Sequence, residues 1–205
     1  MGWLRRAVDR CLEIPAVYAA WQATHNREKV AFVSSHIQPR PGLRIVELGC
    51  GPGTNAHLFA GCAYTGIDIN PQYIENAQRR FPEHTFVCAD LTRHDFGAVA
   101  YDWVLVNSFL HHLDDAQARA ILAAAGRIKA NGIVVLELIL PAQPSVARVL
   151  AKLDRGRFPR SLEAWRALIP PSLRIREETH VWIRRAGVLL YDLVGWVLEP
   201  RVDPA

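Results

Sequence analysis

Between Arg44 and Pro141 the chain alternates two kinds of segment, and this alternation constrains the fold more than any other feature. LRIVEL (43–48), YTGIDI (64–69), TFVCAD (85–90), YDWVLVN (101–107) and IVVLELIL (133–140) are short apolar runs rich in branched residues. Such runs read as buried strands. Helix-like stretches separate them. Thr54 is placed to cap a first helix through Phe59, and Asn70 with Pro71 gives a cap and first position for a second, to about Phe81. Asp114 or Asp115 opens an alanine-rich third, with Asn131-Gly132 as its stop signal. Strand–helix repetition with continuously apolar strands predicts an α/β fold: a doubly wound, Rossmann-like, mostly parallel sheet with helices on both faces.

Past Pro141 the pattern changes. Residues 145–153 and 161–168 read as helices. LRIREETHVWI (173–183) alternates as a strand with one wet face, and VLLYDLVGWVL (188–198) reads as a last, antiparallel strand, although its periodicity also fits a helix. The expected sheet therefore has seven strands. The 205 residues suit one domain: an N-terminal helical lid (1–40), a cofactor-binding core (41–140), and substrate-region helices with the final strands (141–205).

Composition narrows the class. Half of the residues are hydrophobic and 21% are charged, as in soluble globular chains. No apolar run reaches the ~20 residues of a membrane span, and the first residues lack a signal-peptide core. Cys11, Cys50, Cys62 and Cys88 form no CxxC pair and no metal-like spacing, so reduced thiols in a cytoplasmic protein are expected, and no metal site. The net charge is only +4, but residues 155–185 hold eight Arg against three Glu. Trp, Leu and Ile interleave with them, which favours a solvated face over a nucleic-acid surface. Residues 1–14 place Leu4, Ala7, Val8, Cys11 and Leu12 on one helical face, with Arg5, Arg6 and Arg10 elsewhere. That pattern fits a helix packed on the core, or one touching a membrane surface peripherally.

IVELGCGPGT (45–54) follows the first strand, where open α/β sheets bind ligands. Glycines at 49, 51 and 53 let backbone approach a ligand closely. A phosphate loop ending in GK[ST] is absent. A dinucleotide fingerprint would need glycine at 54, where threonine stands. Glu47, two residues ahead of the first glycine, would face a pyrophosphate unfavourably and suits a ligand with a cationic amino-acid end. The nicotinamide alternative also lacks a Tyr-x-x-x-Lys pair.

VELGCGPG, the acid in GIDIN, CADL and VNSFLHHLDD, in order at strand ends, resemble the class I S-adenosylmethionine-dependent methyltransferases across about residues 17–140. The resemblance implies S-adenosylmethionine as cofactor and roles for particular residues. Glu47 would anchor the methionine end, directly or through water. The backbone of Gly49, Cys50 and Gly51, in the turn completed by Gly53, would pass close to the cofactor. Asp68 would accept from the ribose hydroxyls with Ile69 on the adenine; Asp90 would accept from the adenine amino group with Leu91 nearby; Asn107 would lie beside the methionine portion. His112, then His111, are the candidate general bases; the competing reading makes the pair a structural signature.

The implied activity is methyl transfer by direct displacement to a small-molecule or lipid-like acceptor, with oxygen as the expected atom. No asparagine–proline–proline–aromatic motif points to a nucleic-acid amino group. Trp21, Phe158, Trp165 and Trp182 are candidate lid residues, or ordinary core aromatics. The competing function is a non-catalytic subunit of the same fold that scaffolds a biosynthetic or membrane-associated complex.

Overall fold

The computed structural model describes residues 15–154 and 156–201, with side chains described from residue 26 onward. The helix expected over residues 1–14, and the side chains of Tyr18, Trp21, Gln22 and His25, lie outside the described residues.

Helix α1 (Pro15–Ile37) precedes strand β1 (Arg44–Leu48). Then come a 3-10 turn (Ala56–Phe59), β2 (Ala63–Asp68), α2 (Pro71–Arg80), β3 (Thr85–Cys88) and β4 (Trp103–Asn107). A second 3-10 turn (Leu110–His112), α3 (Asp115–Arg127) and β5 (Gly132–Leu138) follow, then α4 (Val146–Leu153), α5 (Leu162–Arg166), β6 (Leu173–Arg185) and β7 (Val188–Pro200). The seven strands form one sheet in the order β3-β2-β1-β4-β5-β7-β6. The pairs among β1 to β5 are parallel, and β7 lies antiparallel to both β5 and β6. The chain runs outward from β1 to β3 and then crosses to β4, so the order reverses between β1 and β4.

Pleating sends alternate residues to opposite faces. Ile45, Leu105, Val134 and Leu136 meet Phe32, Val33 and Ile37 of α1, Phe59, α2 and α4 in one core. Val46, Val104, Val106, Ile133 and Val135 meet α3 and Trp165 in the other. The strands are apolar at successive positions because both faces are covered. Helix α1 can cross the antiparallel end because Gly195 lacks a side chain: a Cβ there would come within 2.3 Å of the Phe32 ring.

Helix starts follow the sequence closely. Asn70 accepts from Gln72 N and Tyr73 N at the head of α2, and Asp114 forms a reciprocal capping box with Gln117 at the head of α3. Two expectations require correction. Thr54 caps nothing. Asn55 takes the cap position without a side-chain capping bond, and the helix is a single 3-10 turn, because the Asn55 amide is used elsewhere. Helix α3 ends at Arg127, not near Asn131. Ile128 turns inward into the core, and Gly132 opens β5 against the Trp103 ring, where a Cβ would lie 2.7 Å from Cζ3. Residues 188–198 are strand, since their pairing with β5 supplies backbone partners that periodicity alone does not reveal. Among the described residues no helix is long and apolar enough to cross a membrane.

Candidate active site

A cavity of about 290 Å³ opens at the carboxyl ends of β1 to β4. Gly49, Asp68, Ile69, Asp90, Leu91 and Phe109 line it, with Gln117 and Ile121 of α3. Among the described residues no lysine or arginine does. Arg93, largely exposed, stands 3.9 Å from Asp90 Oδ2 but does not line the cavity. The two lining carboxylates suit neutral donors such as hydroxyl and amino groups and disfavour a pyrophosphate.

The glycine turn is shaped by backbone and packing together. Gly49 has φ +75° and a Cβ there would stand 2.3 Å from the Phe109 ring. Gly51 also has positive φ but open space beside it, while Gly53 packs on Ala77 and Phe81. Asp68 ties the turn to α2: one carboxylate oxygen accepts from Gly51 N (2.9 Å) and the other from Asn70 N (2.9 Å). Each oxygen keeps a further lone pair. Asp90 accepts from the backbone N and hydroxyl of Thr92, and these bonds hold its carboxyl below the usual range. Ile69 is 68% exposed beside the cavity, an apolar surface placed for a flat ring. Leu91, which is buried, lines the same cavity.

Glu47 is not on the cavity wall. It is 1% exposed, under the turn, accepting from the Asn55 amide (2.5 Å) and the Tyr64 hydroxyl. Burial pushes its carboxyl up to about 7, opposed by those two hydrogen bonds and assisted by the nearby Asp68 charge. Any direct meeting of Glu47 with a pyrophosphate is therefore excluded by its burial, and its influence is that of a charge beneath the site. Asn107 donates to Asn55 Oδ1 (3.2 Å), extending the buried network to the end of β4. Cys50 points into the core, where burial pushes its thiol up, so only its backbone belongs to the turn's outer surface.

The two histidines differ. His111 is buried, with Nδ1 2.7 Å from Glu137 Oε2 and Nε2 3.3 Å from Asp154 Oδ1. Burial disfavours its charge, but the two carboxylates outweigh burial and hold it at about 9. Both ring nitrogens face carboxylate oxygens and the raised pKa favours the charged ring, an arrangement that suits a positioning role better than a general base. Its neighbour His112 is exposed, with ring centroids 4.3 Å apart. Glu137, fully buried in β5, also accepts from Phe109 N (2.8 Å) and Leu110 N (2.6 Å), and thereby fixes the turn after β4. The segment after α4 is latched to that turn. Phe158 N donates to His111 O (3.0 Å), and buried Arg160 donates to Leu113 O (2.7 Å) and Asp115 (2.8 Å). Gly156 is obligatory there, since a Cβ would meet the His111 ring at 2.2 Å.

Of the aromatic lid candidates, Trp165 is a core residue, fully buried and donating to Leu138 O (2.8 Å). Phe158 and Trp182 are exposed, 38% and 53%. The sequence reading missed Asn55, Tyr64, Glu137, Asp154 and Lys29. A lone glutamate inside the apolar run of β5 was the one available signal for this buried polar centre.

Residues 45–132 match the methyltransferase domain family. The chain is 27% identical over 186 residues to a ubiquinone biosynthesis O-methyltransferase of Xanthomonas axonopodis pv. citri, covering 85% of this chain and 74% of that one. It is 25% identical over 217 residues to a trans-aconitate 2-methyltransferase of Methylobacterium radiotolerans, covering 93% and 81%. The fold resembles magnesium protoporphyrin IX methyltransferase of Synechocystis PCC 6803 with bound S-adenosylmethionine, at a TM-score of 0.59 and 19% identity over 89% of this chain and 81% of that one. The sheet order, the acid-lined cavity beside the glycine turn and these likenesses together support a methyltransferase of the class I type that uses S-adenosylmethionine.

Proposed function

We propose that the enzyme moves the methyl group to an oxygen of a small, lipid-like acceptor by direct displacement. The observation that carries the donor half is the pairing of Asp68 and Asp90 on one cavity that no lysine or arginine lines among the described residues. The free lone pairs of Asp68 take the two ribose hydroxyls while its other pairs keep the glycine turn in shape. Asp90 takes the adenine amino group, and Ile69 and Leu91 cover the ring. The backbone of Gly49, Cys50 and Gly51 runs beside the amino-acid end, with Glu47 below it as a buried negative charge and Asn107 at its side.

The bound sulfonium supplies an already activated methyl group. The chain's own residues must align the acceptor and keep water out. Glu137, His111 and Asp154 are positioning residues: they hold the turn after β4 and the segment after α4 in one arrangement. His112, exposed at the same edge, takes the proton from an acceptor that arrives protonated. Support for oxygen comes from the relative named an O-methyltransferase. Support for a lipid-like acceptor comes from the apolar surface of the segment after β5, where Val146, Val149 and Phe158 are exposed.

The test is turnover with ¹³C-methyl-labelled cofactor and an extract of small metabolites. A new methyl carbon resonance in the range of methoxy groups or methyl esters supports the reading. A methyl on nitrogen or sulfur overturns it.

A further inference from the structure

Lys29 reaches the reaction edge from α1. Its Nζ donates to Ser108 Oγ (2.8 Å), and Ser108 is the first residue past β4. This is the carboxyl edge of the sheet, beside the reversal between β1 and β4, where open α/β sheets bind what they act on. Ser108 itself is held at φ +53°, a left-handed conformation rare for a residue with a side chain. Its hydroxyl donates onward to Asn107 Oδ1 (3.1 Å). The lysine is thus linked through two side chains to the network under the donor site.

The carboxylates near Lys29 are already engaged. Glu137 accepts from Phe109 N, Leu110 N and His111, and Asp154 from His111 and Gly156 N. Both still act on the lysine, but burial outweighs them and lowers its pKa. An ammonium has three donors, and among the described residues Lys29 spends one, on Ser108. Two charges of each sign, Lys29 and His111 against Glu137 and Asp154, leave the cluster balanced. A sulfonium brought beside it adds one positive charge. An acceptor carrying one negative charge restores the balance.

We propose that Lys29 binds the acceptor's oxyanion, a carboxylate or a phenolate, and holds it against the methyl donor; the assignment rests on the oxygen reading above. An electron pair of the oxyanion forms the new O–C bond while the C–S bond breaks and its pair stays on sulfur. Anion and sulfonium become a neutral methyl ester or ether and a neutral thioether. A carboxylate arrives ionised; a phenol gives its proton to His112 and its oxyanion to Lys29.

Calorimetry on protein saturated with S-adenosylhomocysteine tests this, with benzoate as the carboxylate probe and 4-nitrocatechol as the phenolate probe. Wild type should bind at least one, and which one it binds separates the two sources of the oxyanion. Lys29→Met should weaken that binding about tenfold or more, and Lys29→Arg should retain most of it. Affinity for S-adenosylhomocysteine should stay within about twofold in both. Lys29→Gln, with its melting curve, replaces Lys29→Met should the latter not fold. Methyl transfer to the bound probe should fall by roughly a hundredfold in kcat without the charge. Equal probe binding by wild type and Lys29→Met, or no binding of either probe by wild type, overturns the assignment. An O-methyl product made equally well by Lys29→Met removes Lys29 alone, whereas an N-methyl product removes the oxygen reading with it.

Discussion

His111 Nδ1 lies 2.7 Å from Glu137 Oε2, and that contact joins β5 to the turn that follows β4. Three donors converge on one fully buried carboxylate. Removing the carboxylate leaves a buried imidazolium and two backbone N–H groups short of an acceptor. Glu137→Ala should therefore cost about 3–5 kcal/mol, read from urea unfolding. Glu137→Gln, which keeps one oxygen, should cost less. A Glu137→Ala protein as stable as wild type would show that the pair does not hold the turn.

The same pair sets a pH dependence. The folded-state pKa of His111, about 9, lies above its ordinary value of 6.5. Its contribution is fully present below the ordinary value and is lost as pH rises through about 9. Melting temperature should decline over that window in wild type and decline less in His111→Gln. Parallel curves for the two proteins would contradict the assignment of charge to His111.

Glu47 works in the opposite functional sense. Its folded-state pKa, about 7, is above the ordinary 4.5, so its protonated form is favoured by folding. This contribution is present below the ordinary carboxylate value and is lost as pH rises through about 7. Glu47→Gln should be more stable than wild type above neutrality, because no buried charge has to form. It should also bind S-adenosylmethionine more weakly, having lost a negative charge beneath a cationic ligand. Melting curves with and without cofactor at several pH values check both halves; a variant that loses stability at alkaline pH would refute the first.

The glycines of the turn should not be equivalent. Gly49→Ala meets both a positive φ and the Phe109 ring, whereas Gly51→Ala meets positive φ alone. The second should cost about 1–2 kcal/mol from backbone conformation. The first should cost more and should move Phe109 on the cavity wall. Equal unfolding midpoints would mean that the Phe109 contact is not limiting.

The alternation of buried strands and helices was legible because two-sided burial makes a strand apolar at every position, as in Ile133 to Leu136. Cap residues were legible at Asn70 and Asp114 because their side chains bond backbone within the next turn. Long-range polar partners were not. Lys29 meets Ser108 across 79 residues, and neither the polar surroundings of Lys29 in α1 nor Ser108 beside Asn107 announces the other. Glu47 was singled out for its charge and position, yet its burial depends on Asn55 and Tyr64, which the glycine pattern does not specify. The His pair was visible as a pair; that one ring is charged and buried depends on Glu137 and Asp154, on other elements.

The central claim is that the donor sits in the cavity closed by Asp68. Calorimetric titration of wild type and Asp68→Ala with S-adenosylhomocysteine tests it most directly. Losing the acceptor for two hydroxyls should weaken binding by roughly 1.5–3 kcal/mol, in a protein whose melting confirms that it remains folded despite freeing Gly51 N and Asn70 N. Unchanged affinity in folded Asp68→Ala would contradict the account.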